Sequence, residues 1–117
     1  MSSRTEAGEQ KAVIEWCDWQ GVPVVHIPNE GKRNPRTGAE LKAMGLQAGF
    51  PDLFVPLIRG GYGGLFIEMK RDSRSRVSSA QRSWLERLNA AGYMAIVCRG
   101  ADEAIREIMD YIRGADE

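Results

Sequence analysis

The chain has 117 residues, 43% of them hydrophobic, and 16 basic side chains balance 16 acidic ones. This length fits one compact domain with a single core. The zero net charge argues against a strongly basic nucleic-acid binder, and no 20-residue apolar run announces a membrane span. The polar start "MSSRTEAGEQ" is not that of a signal peptide. Two cysteines and one histidine are too few for a structural zinc site of the usual four ligands. Cys17 and Cys98 both fall inside apolar patterns, so buried, reduced thiols and a cytoplasmic setting are expected.

Residues 5–20 predict a helix, with Val13, Ile14, Trp16 and Cys17 at helical spacing and Gly21 as its stop. "VPVVHI", 22–27, is β-branched and short, which predicts a strand. Residues 28–48 hold two prolines and three glycines and read as a long connection with a short helical turn at 39–44. Residues 53–58 and 64–70 predict two strands of a hairpin around "RGGYG", with Pro56 marking an edge or a bulge. Residues 79–91 predict a helix with Trp84, Leu85 and Leu88 on one face and Gly92 as its stop. A strand follows at 93–98, then a helix at 102–113 on Ile105, Ile108, Met109 and Ile112. The three tryptophans fall on helices, where packing in the core or a dimer is expected. The order is αβββαβα, and its strand–helix–strand unit predicts a parallel crossover within a mixed sheet flanked by helices, an α/β fold.

Charge is segregated along the chain. Residues 70–76 carry Lys70, Arg71, Arg74 and Arg76 against Asp72, and Lys32, Arg33, Arg36 and Lys42 cluster before the hairpin. Residues 102–117 are acidic on balance. One basic face is thereby available.

The hairpin carries the chemistry. Side chains alternate along a strand, so Leu65, Ile67 and Met69 face one way while Phe66, Glu68 and Lys70 face the other. A turn centred near Gly61 puts Asp52 across from Lys70 and diagonal to Glu68. A slip of one or two residues keeps the three together, and a bulge at Pro56 would change which pair is nearest. Two carboxylates at that range repel, and a divalent cation relieves the repulsion. Mg²⁺ suits one or two carboxylates plus retained waters, and water acidified by a metal attacks phosphodiesters. Lys70 beside such a water would orient or deprotonate it and offset phosphate charge.

"PD" at 51–52 followed by "EMK" at 68–70 resembles the PD-(D/E)xK nuclease pattern, and more narrowly the VRR-NUC group. "HIPNEGKR", "LKAMGLQAGFPDLFVP", "GLFIEMK" and "SSAQRSWLERLNAAGY" extend that resemblance over nearly all of residues 1–117, read as a single domain. It implies a restriction-endonuclease-like core and an endonuclease dependent on Mg²⁺ or Mn²⁺, with no small-molecule cofactor. It also implies branched or junction DNA as substrate, in the manner of Holliday junction resolvases, and a homodimer with no membrane association, in a bacterial or phage-infected cell. The implied metal ligands are Asp52, Glu68, the Met69 carbonyl and an acid of the first helix; Lys70 is the implied catalytic lysine. Counting back from Gly21 aligns Glu6 and Gln10 with the first-helix motif, Glu9 being the alternative acid. Gln81 matches the glutamine of the second family helix, yet Ser78 and Gln81 also form a capping-box pattern; both roles hold only if Gln81 is shared. His26 and Asn29, which also read as a loop hydrogen-bonding pair, are implied to border the DNA. Lys32, Arg33, Arg36, Arg71, Arg74 and Arg76 are implied to contact phosphates, which position nucleic acid without reading its sequence. The rival readings are a non-catalytic nucleic-acid-binding module on the same fold and a nuclease acting on RNA. A single histidine argues against a ββα-metal nuclease.

Overall fold

Thr5 opens the first helix, its side chain accepting from the Gly8 main-chain N–H at 2.9 Å, and Gly21 closes it in the left-handed conformation at φ 72°. The computed structural model describes residues 5–28 and 35–114, the side chains of 35–38 excepted. Within them run α1 (Glu6–Gln20), β1 (Val25–His26), α2 (Pro35–Ala43), β2 (Leu53–Val55), β3 (Leu65–Lys70), α3 (Ser79–Ala90), β4 (Met94–Arg99) and α4 (Ala101–Ile112). The short helical turn expected at 39–44 is thus a nine-residue helix, α2, inserted between the first two strands. Pro35 suits a first helical turn, where its missing N–H has no partner to lose.

The four strands form one mixed sheet in the order β1-β2-β3-β4. β2 is antiparallel to both β1 and β3, and β4 lies parallel to β3 with α3 between them in the chain. The first strand is shorter than the expected 22–27 because Pro23 lacks a donor for the ladder. Ile27 N–H still reaches the Asp52 carbonyl at 2.7 Å. β2 is also shorter than 53–58. It stops before Pro56, Leu57 N–H turns back onto the Val55 carbonyl at 2.9 Å, and Ile58 is exposed.

The hairpin register departs from the expected one by one residue at the turn and by one more at that irregularity. Arg59 and Tyr62 bridge around Gly60 and Gly61, whose φ values of 58° and 89° suit a tight hairpin turn. Further down, Val55 faces Leu65 and Leu53 faces Ile67, so residues 56–58 lie opposite only 63–64. The extra residue is a bulge.

β3 is buried along its whole length, and both of its faces are covered. Leu65, Ile67 and Met69 enter one cluster with Val13 and Cys17 of α1 and Ala104, Ile108 and Tyr111 of α4. Phe66 enters a second with Leu88 and Ala95, flanked by Phe54, Trp84 and Tyr93. On α4 the expected core residue Met109 is instead partly exposed. Tyr111 takes the inward position and its hydroxyl donates to the Leu57 carbonyl at 2.6 Å. Trp16 and Trp84 pack against the two clusters, whereas Trp19 is 87% exposed and so, of the two expected settings, does not take the core one. Both cysteines are free and buried, and burial pushes the Cys98 thiol up to about 12. Among the described residues no helix is long and apolar enough to cross a membrane.

Candidate active site

Glu68 and Lys70 stand at the C-terminal end of β3, where the apolar covering of its second face gives out. They are 2% and 8% exposed, a pair of ionisable side chains in an otherwise apolar core. Lys70 Nζ lies 3.9 Å from Glu68 Oε2, and Gln81 Nε2 donates to that same oxygen at 3.0 Å. Glu68 Oε1 is buried and receives no hydrogen bond among the described residues.

Asp52 arrives from the other arm of the hairpin. Its main-chain N–H donates to the Ile67 carbonyl at 3.1 Å, and its Oδ2 accepts from Met69 N–H at 2.8 Å. The turn, centred between Gly60 and Gly61, and the one-residue bulge each move the register by one, so Asp52 passes the expected position opposite Lys70 and comes level with Glu68. This is the two-residue shift that keeps all three groups together.

The cost of that approach appears in the protonation equilibria. Glu68 is pushed up to about 8, first by burial and then by the negative charge of Asp52, with Lys70 opposing. Asp52 is raised too, by burial, partly offset by the Met69 N–H and by Lys70. Two acids held apart from solvent and close together cannot both ionise freely.

A cavity of about 430 Å³ opens onto this pair, and Glu6, Phe50, Lys70, Arg76 and Gln81 also line it. Gln81 belongs to both structures the sequence suggests for it. Its main-chain N–H donates to Ser78 Oγ at 3.1 Å and its Oε1 accepts from Ser78 N–H at 2.8 Å, which completes the capping box of α3. Its remaining amide hydrogens are free for Glu68.

The two first-helix acids separate. Glu6 lines the cavity and its charge reaches Glu68. Glu9 turns to α4, where Gly100 supplies no side-chain cap, and its Oε1 accepts from Ala101 N–H at 2.7 Å. Gln10 Nε2 donates to His26 Nδ1 at 2.6 Å, so His26 pairs across to α1; Asn29, its expected partner, lies outside the described residues. Lys32 and Arg33 also lie outside them, as does the side chain of Arg36. Arg71 pairs with Asp72 at 3.0 Å, Arg74 is exposed, and only Arg76 of the three lines the cavity.

The sequence reading missed Gly49, which packs against the start of α3. A Cβ built there would lie 2.7 Å from the Ala80 carbonyl carbon and 2.8 Å from Gln81 N, and its φ is +85°. The only sequence signal was its place just before the Pro-Asp pair. Among the described residues no group of three or more His, Cys, Asp or Glu side chains converges as a metal cage.

The mixed sheet, its parallel β3–α3–β4 unit and the Asp52, Glu68 and Lys70 set at one strand end define an α/β domain of nuclease type. The chain belongs to the VRR-NUC domain family, whose model matches residues 4–102. It is similar to a solved VRR-NUC domain protein at 34% identity and a TM-score of 0.86, over 99% of this chain and 94% of that one. A second solved VRR-NUC domain shares 24% identity at a TM-score of 0.63, over 93% of this chain and 99% of that one, a likeness of fold alone. No curated protein matches the chain.

Proposed function

We propose that this protein is a divalent-metal-dependent DNA endonuclease acting on branched or junction DNA. The observation that carries the reading is Glu68 Oε1, a buried carboxylate oxygen that no hydrogen bond reaches among the described residues, beside a second acid and facing a polar cavity. A buried polar atom left without a partner is costly, and a cation is a partner that two neighbouring carboxylates would suit. The residues fit Mg²⁺ or Mn²⁺: Asp52 and Glu68 would hold it, with the Met69 carbonyl and Glu6 as the further oxygens the family pattern implies. Two carboxylates with waters completing the shell is ordinary Mg²⁺ chemistry, so no larger cage is required. When bound, the ion supplies Lewis-acid chemistry, polarising phosphoryl oxygens and acidifying water.

The chain's own groups do the rest. Met69 N–H fixes Asp52 Oδ2, and Gln81 fixes Glu68 Oε2, so both carboxylates are held before substrate arrives. Lys70 presents a buried ammonium that orients the attacking water and offsets negative charge on the phosphate. His26 and Gln10 border the approach to Asp52. Arg76 in the cavity, Arg71 and Arg74 beside it, and the basic residues 32–36 take neighbouring phosphates, and a second copy of the chain completes the grip on branched DNA.

The test is cleavage of labelled linear, flap, four-way-junction and supercoiled DNA, and of RNA, with Mg²⁺, Mn²⁺ or EDTA. The expected result is metal-dependent cutting of branched DNA. Cutting that persists in EDTA, or no cutting of any substrate, would overturn the reading.

A further inference from the structure

Residues 71–78 join Lys70 at the end of β3 to the cap of α3, and none of them belongs to either core cluster. Their order comes from polar contacts. Asp72 folds the segment on itself: Oδ1 accepts from Arg74 N–H at 2.9 Å, Oδ2 from Arg71 Nε at 3.0 Å, and its carbonyl from Ser75 N–H at 3.2 Å. Among the described residues, the side chain that hydrogen-bonds this segment to the sheet is that of Arg99. Arg99 ends β4 in register with Lys70, and its Nη1 donates to the carbonyls of Asp72 at 3.0 Å and Ser75 at 2.6 Å. One guanidinium nitrogen has two hydrogens, and each is used.

The next residue after that tie is Arg76. It lines the cavity of the candidate active site, and it makes no hydrogen bond or ion pair among the described residues. Two residues further on, Ser78 and Gln81 form the cap that aims an amide at Glu68. The position of Arg76 is therefore set from both ends, by Arg99 on one side and by the capping box on the other.

We propose that Arg99 is a positioning residue, which clamps residues 71–78 to the edge of the sheet so that Arg76 stands in the cavity ready for a DNA phosphate. The identity of that phosphate rests on the nuclease reading above. Arg99 itself touches no substrate. Its charge-assisted bonds to two main-chain carbonyls are the stronger kind, and they span from the parallel edge strand to the loop that follows the proposed catalytic lysine.

The experiment is a double-mutant cycle read by binding in EDTA, using a fluorescent four-way junction and a linear duplex as probes. Arg76→Ala and Arg99→Ala should each weaken binding roughly tenfold, and the double variant should be no weaker than Arg76→Ala alone, because the two act through one contact. Each should also flatten the dependence of log affinity on log salt by about one phosphate's worth. Arg99→Lys keeps the charge and the donors on a shorter arm and should restore most of the binding. Limited trypsin digestion reads the clamp without DNA: cleavage within 71–76 should be faster in Arg99→Ala than in wild type, and intermediate in Arg99→Lys. Losses that add in the double variant would overturn the proposal. So would an Arg99→Lys protein that protects the segment from trypsin yet binds as weakly as Arg99→Ala. A wild-type protein that binds neither probe while trypsin still distinguishes the variants would instead overturn the nuclease reading.

Discussion

Gln81 and Glu68 are joined at 3.0 Å, and the same glutamine closes the capping box at the start of α3. The helix terminus and the candidate active site are therefore one hydrogen-bonded unit. Ser78→Ala removes a cap and should cost about 1 kcal/mol in a urea titration while leaving most of the cleavage rate. Gln81→Ala removes the cap and the support of Glu68 together. It should cost a similar amount of stability and also lower cleavage by about 10- to 100-fold, as loss of an outer partner of a metal ligand does. Equal effects of the two variants on cleavage would show that Gln81 acts through the helix alone.

Asp52→Asn keeps the shape of the side chain and removes one of two mutually repelling acids. Cleavage should be abolished, while the metal-free protein should melt at the same temperature or higher. Calorimetric melting in EDTA beside a cleavage assay checks both halves; a variant cutting at near wild-type rate would refute the mechanism.

Lys70→Ala should retain metal binding by calorimetry and lose the chemical step. Lys70 faces Glu68 at 3.9 Å without lying in the donor set proposed for the cation. Loss of metal binding would assign Lys70 a structural role instead.

The raised equilibrium of Glu68 has a consequence for stability. The unfolded chain releases this proton near the ordinary value of 4.5, whereas the folded chain holds it until about 8. Between those values the folded state binds more protons than the unfolded one, so stability falls as pH rises. The contribution is fully present below pH 4.5 and is lost as pH passes through about 8. Asp52, also raised, acts with the same sign. Urea midpoints of the metal-free protein should decline across this window, Glu68→Gln should flatten the decline, and saturating Mg²⁺ should reduce it by binding the ionised pair.

Gly49→Ala places a methyl 2.7 Å from the backbone of α3 at a residue whose φ is +85°. Strain of both kinds should cost on the order of 1–3 kcal/mol or more. Because the crowded atoms include Gln81 N, cleavage should fall beyond what a loss of folded protein explains, as measured at a temperature where the variant remains folded.

Much of the architecture was legible because it is local. Gly21 and Gly92 punctuate helices through their own backbone freedom, and the alternation of Leu65, Ile67 and Met69 against Phe66, Glu68 and Lys70 is a property of any strand. The elements misjudged in length, β1, α2 and β2, are those where proline or glycine competes with the pattern. Met109 was expected in the core and is exposed, while Tyr111 is buried, because only the packing of α4 against the sheet decides which edge of an amphipathic helix faces inward.

The candidate site divides in the same way. The sequence alone determined that Glu68 and Lys70 share a face and that Asp52 is brought near by a hairpin, since strand period and turn position require nothing beyond the chain itself. It also marked Gln81 as a residue with two possible employments. Tertiary structure decided that the turn centre and a bulge together bring Asp52 level with Glu68 and that Glu6 faces the cavity while Glu9 caps α4. It decided too that Arg99 reaches back across 24 and 27 residues to tie down the basic segment. Those contacts join groups far apart in the chain, and no periodicity encodes them; they exist because the sheet and the helices packed on it bring those groups within hydrogen-bond range.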